Sequence, residues 1–101
     1  CEWHNFYSAM AYPGSVLYQQ ALKEGWELPE SWGGYSQHSK DCLPLPTRHL
    51  TARQVLAFRD KAFRACFGAP EWQESIRVKF GERAVAMVRE MLSQRLERQK
   101  A

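Results

Sequence analysis

The sequence predicts a mainly α protein with one N-terminal strand, turn and helix, forming part of a larger α/β protein. Three observations lead there. Residues 5–11 contain a short β-prone run, with Phe6, Tyr7 and Met10, that Tyr12-Pro13-Gly14 stops directly before a helical pattern. From Thr51 onward, apolar residues recur at helical spacing in three successive segments. No second strand is legible, although a strand feeding a crossover helix belongs in a parallel sheet with neighbours on both edges. The remaining strands are therefore expected from sequence preceding Cys1, where the chain opens without an initiator Met.

Taken in order, residues 1–4 are too short to assign, although Trp3 suggests an approach into packed structure. Pro13 fixes its own φ and lacks an N–H, and Gly14 permits a positive φ, so a tight turn is expected after the strand. Ser15 stands at an N-cap position before Val16, Leu17, Ala21 and Leu22, and Gly25 at a C′ position. Residues 26–34, WELPESWGG, read as an ordered aromatic loop with one helical turn begun by Pro29. In residues 35–47, YSQHSKDCLPLPT, Pro44 and Pro46 push their predecessors out of the α region and enforce an extended path that cannot be a central strand.

Thr51-Ala52-Arg53-Gln54 matches a capping box. Val55, Phe58, Ala62, Phe63, Cys66 and Phe67 then share one broad helical face until Gly68, with Arg59 near its middle. Pro70 opens the next helix, with Trp72, Ile76 and Phe80 on one side and Gly81 as its stop. The last helix is predicted from about Glu82 to Arg98, with Ala84, Val85, Val88, Leu92 and Leu96 as its stripe. The chain thus divides at residues 1–47 and 48–101.

With 101 residues there is room for one small domain at most, and 45% apolar with 25% charged residues is ordinary for a soluble globular chain. No apolar run approaches a membrane span, and neither a signal peptide nor a location other than the cytoplasm is expected. The net charge of +3 divides unevenly: residues 1–47 carry two basic and five acidic side chains, and residues 48–101 carry twelve and six. Solvated helix faces commonly hold this much Arg and Lys, so the excess by itself does not point to nucleic acid. Cys1, Cys42 and Cys66 have neither zinc nor cluster spacing, and reduced thiols are expected.

The runs NFYSAMAYPGSVLYQQAL, ELPESWGGYSQHSKDCLPLPT and LTARQVLAFRDKAF together resemble the C-terminal part of radical S-adenosylmethionine (radical SAM) enzymes that carry a cobalamin-binding domain. The resemblance spans residues 5–92 and is nearest the branch of anaerobic magnesium-protoporphyrin monomethyl ester cyclase and related methylases. It implies a parent with a cobalamin domain and a partial β/α barrel, whose last strand would end at Tyr12-Pro13-Gly14. The implied cofactors are S-adenosylmethionine, a 4Fe–4S cluster and cobalamin. The implied partners are the rest of the parent chain and a small-molecule substrate. The family's CxxxCxxC motif is missing here, as are cobalamin-binding residues, so this chain alone is expected to bind none of these cofactors and to be inert.

By that resemblance Tyr12, Pro13 and Gly14 lie near the adenosyl cofactor, at the strand end where β/α barrels bind ligands. The alternative is a turn chosen for backbone geometry alone. Tyr35 and His38 line or close the barrel mouth. His38 and Cys42 form a metal or acid/base pair only if their segment is helical, which Pro44 opposes. Arg59 suits a carboxylate or phosphate of the substrate, against which stands pairing or snorkelling within the fold. No catalytic or metal-ligating residue is assigned. A second reading is a free-standing basic helical module binding protein or nucleic acid through Arg53, Lys61 and Arg64. Asp60 interrupts that face, and no aromatic is interleaved for stacking.

Overall fold

Ser15 begins the first regular element of the chain. A computed structural model describes residues 2–98. In it the Ser15 hydroxyl accepts the Tyr18 N–H at 3.1 Å and Gly25 closes the helix in the left-handed region, bounding α1 (Val16–Glu24). The loop that follows holds a 3-10 turn at Trp32–Tyr35. That turn begins three residues beyond the predicted Pro29, because Pro29 lies on Gly34, where an added Cβ would come 2.3 Å from the Pro29 Cβ.

The Thr51 and Gln54 side chains cap α2 (Ala52–Phe67) reciprocally. Gln54 N–H donates to Thr51 Oγ1 at 3.2 Å, and Thr51 N–H to Gln54 Oε1 at 2.9 Å. Pro70 starts α3 (Pro70–Phe80), and α4 is Glu82–Ser93. Gly81 joins them at φ +91°, a conformation that glycine alone adopts without strain. Arg77 spans this joint, paired with Glu74 on one side and Glu82 on the other, and these carboxylates raise the guanidinium pKa.

The predicted N-terminal strand is overturned. Among the described residues there is no strand, and the mainly helical architecture carries no strand-turn-helix unit. The physical reason lies in the segment opposite. Leu45 N–H donates to the Ala9 carbonyl at 3.0 Å, but the next N–H groups on the same edge are spent elsewhere, that of Leu43 on the Gly34 carbonyl and that of Thr47 on the Leu50 carbonyl, both at 2.9 Å. A ladder cannot grow from that one bond. Ser8 is satisfied instead by a side chain: Gln37 Oε1 accepts its N–H and Gln37 Nε2 donates to its carbonyl, both at 2.9 Å.

The chain forms two compact units, residues 7–59 with 96–98 and residues 2–6 with 60–95. In the first unit Met10, Cys42 and Leu56 form one buried cluster. Ala11, Ala21 and Leu45 form another, with Leu17, Tyr18, Trp26 and Leu28 packed on it.

In the second unit Phe67 is the hub. It is fully buried, with the rings of Trp3, Trp72 and Phe63 at 4.7, 4.8 and 4.9 Å and Phe6 edge-on at 6.2 Å. Burial of such a ring stabilises by about 1.5–3 kcal/mol, with each aromatic pair adding about 0.5–1.5 kcal/mol. Ile76, Val85 and Val88 are buried in the same unit. Two helical expectations shift. The buried residues of α2 are Leu56, Arg59 and Phe67, whereas Phe58 is exposed. Helix α4 ends five residues early, at Ser93, where Arg64 donates to the carbonyls of Leu92 and Gln94 at 2.8 Å each and so holds the chain end.

Candidate functional site

The residues singled out by resemblance gather in the unit of residues 7–59. Tyr12 leaves the turn before α1, where its own carbonyl accepts both the N–H and the hydroxyl of Ser15, at 3.1 and 2.6 Å. Gly14 sits at φ +88° with open space where a Cβ would point, so the turn needs its backbone freedom rather than a close approach. The Tyr12 ring lies 5.8 Å from that of Tyr35, which in turn lies 6.1 Å from Trp32. Tyr12 and Trp32 are exposed, and partial burial, followed by Tyr18, pushes the Tyr35 phenol up. These rings form an open stacking surface.

A second group centres on His38. Its ring meets Tyr7 edge-on at 6.4 Å, and its Nε2 lies 3.3 Å from Arg59 Nη2. A guanidinium only donates, so Nε2 accepts and the ring proton rests on Nδ1. Arg59 is 6% exposed, while His38 stands at the surface. The buried guanidinium therefore orients an exposed imidazole. Cys42 is fully buried beside Met10 and Leu56, away from solvent and from any exogenous ligand.

Beside the 3-10 turn lies a cleft of 440 Å³ lined by Glu27, Pro29, Glu30, Ser31, Gly34 and Asp41. Its carboxylates do not form a metal site: no group of three or more His, Cys, Asp or Glu able to hold an ion occurs among the described residues. A 4Fe–4S cluster likewise does not fit them, since Cys42 is fully buried beside Met10 and Leu56 and the cysteines lack cluster spacing. The unit of residues 2–6 and 60–95 holds an apolar recess of 310 Å³ between Trp3, Ile76, Phe80, Met87, Val88 and Met91.

Sequence reasoning missed Tyr7 and Trp32 as neighbours of His38 and Tyr35. Trp32 was legible as one of a dense aromatic run, but Tyr7 was read as part of a strand. The basic stripe is reduced as well, because Arg64 commits its guanidinium to the end of α4. Comparisons with protein-family models, curated proteins and solved structures find no match to this chain. No helix among the described residues is long and apolar enough to cross a membrane.

Proposed function

We propose that this chain is the C-terminal segment of a cytoplasmic, cobalamin-dependent radical SAM methylase or cyclase, contributing side chains to the cofactor and substrate end of its parent. The observation that supports this reading is the association of the two stretches carrying the resemblance. The NFYSAMAYPGS and YSQHSKDCLPLPT runs lie together through the Ser8–Gln37 bonds, the Leu45–Ala9 bond and the Tyr12–Tyr35 ring contact. Tyr12 and Tyr35 then offer a stacking surface to the adenosyl cofactor or the substrate. Arg59 orients His38 as a hydrogen-bond donor through Nδ1. The segment itself supplies no cluster ligand, so the radical chemistry belongs to the rest of the parent.

The coding sequence upstream of Cys1 tests this. A CxxxCxxC motif is expected in the same reading frame. An in-frame start codon directly before Cys1 would overturn the proposal, and a free-standing helical module would replace it.

A further inference from the structure

The N-terminal residues are held against the end of α2 by contacts on both sides of His4. Trp72 Nε1 donates to the Glu2 carbonyl at 3.0 Å, and the Glu2 carboxylate pairs with Lys79. Trp3 and Phe6 both lie against Phe67, and the His4 ring stands 6.2 Å from that of Phe6. Between these anchors His4 Nδ1 comes 3.7 Å from Cys66 Sγ, across 62 positions of sequence. Cys66 is partly open to solvent and His4 is exposed, so a reagent can reach the pair. Several charged groups of this unit are engaged elsewhere: Arg64 at the end of α4, Glu2 with Lys79, and Arg77 with Glu74 and Glu82.

We infer that Cys66 and His4 form a nucleophile and base pair, and that Cys66 is a site of mixed-disulfide formation with low-molecular-weight disulfides. This does not depend on the radical SAM reading. A thiol is a weak nucleophile and its thiolate a strong one, so an imidazole nitrogen within reach of the sulfur changes its reactivity near neutral pH. In the step, His4 Nδ1 takes the Cys66 proton and Sγ attacks one sulfur of R–S–S–R. A Cys66–S–S–R bond forms, the original S–S bond breaks, and R–S⁻ leaves to be protonated by solvent. The disulfide is the oxidant: Cys66 is oxidised and one R–S group is reduced. Anchoring by Trp3 and Phe6 on Phe67 holds the imidazole in place. Cys42, fully buried, offers no competing site.

The test is the reaction of the full chain, in a Cys1→Ser background, with 5,5′-dithiobis(2-nitrobenzoate). Release of the coloured thiolate gives the rate, and peptide mapping assigns the modified cysteine. Modification at Cys66 is expected, and His4→Ala should slow it about tenfold or more at pH 7, where an unaided thiol with the ordinary value of about 8.5 is only about 3% thiolate. His4→Gln, which retains hydrogen bonding but cannot take the proton, should lose as much. At pH 10, where an ordinary thiol is ionised unaided, the three rates should converge to within about twofold. Equal rates at pH 7, the same slowing at both pH values, or modification mapped to Cys42 would each overturn the inference.

Discussion

Replacing Gln37 should unfasten the N-terminal segment out of proportion to the size of the change. Its amide is buried, and it alone satisfies both the N–H and the carbonyl of Ser8, which is buried too. Gln37→Ala orphans two buried backbone groups, each costing about 1–3 kcal/mol. Water entering the vacated volume satisfies one of them, which places the expected loss at about 1–3 kcal/mol. Total stability for a chain of this size is about 5–15 kcal/mol, so the melting temperature should fall by about 4–24 °C. Gln37→Glu keeps the acceptor for Ser8 N–H but turns a second oxygen towards the Ser8 carbonyl. Its deficit should therefore match that of Ala at pH 7 and narrow in acid, when the protonated carboxyl donates. Ser8→Ala gives the opposite sign, since Ser8 Oγ is buried without a hydrogen-bond partner among the described residues and its loss should be neutral or stabilising. Urea denaturation followed by circular dichroism measures all three, and hydrogen exchange at the Ser8 amide reports the local bond. A loss below about 0.5 kcal/mol in Gln37→Ala, the size of an ordinary surface substitution, would refute the argument.

Two further predictions concern caps and charges. Thr51→Ala removes the acceptor for the Gln54 N–H and should cost about 1 kcal/mol, seen as a lower urea midpoint with unchanged slope. An unaltered midpoint would show that the box contributes nothing. The Glu2 carboxyl is held below its ordinary 4.5, first by the Lys79 hydrogen bond and then by the Glu2 backbone. A depressed carboxylate pKa stabilises the fold above the unfolded value and loses that contribution as pH falls through the folded one. Glu2→Gln should flatten the decline in stability on acidification below about pH 4.5. Equal acid slopes in the two proteins would exclude the pair as a contributor.

Local signals and long-range ones parted company in this chain. The caps were legible because each depends on residues three or four apart: Ser15 with Tyr18, Thr51 with Gln54, Pro70 at a first position, and Gly25 and Gly81 as stops. The four helices, the ordered aromatic loop and the unusual place of Arg59 on a core-facing stripe followed from such spacing. The strand failed because β-prone residues make a strand only when a partner can donate and accept along its length. Opposite Ala9 only Leu45 donates, because the N–H groups of Leu43 and Thr47 on the same edge are taken by the carbonyls of Gly34 and Leu50.

Only the tertiary structure decided the remaining features, because each joins residues far apart in the chain. Gln37 replaces a neighbouring strand for Ser8, Arg64 ends α4 early, and His38 finds both Tyr7 and Arg59. No local pattern encodes a contact across 62 positions, which is why Cys66 read as one more apolar residue of α2 and His4 as unassigned until the packing of Trp3 and Phe6 on Phe67 set them side by side. Sequence by itself determined where this backbone coils, through caps and breakers acting within a turn. Which side chains meet was decided by burial and hydrogen-bond satisfaction over the whole fold.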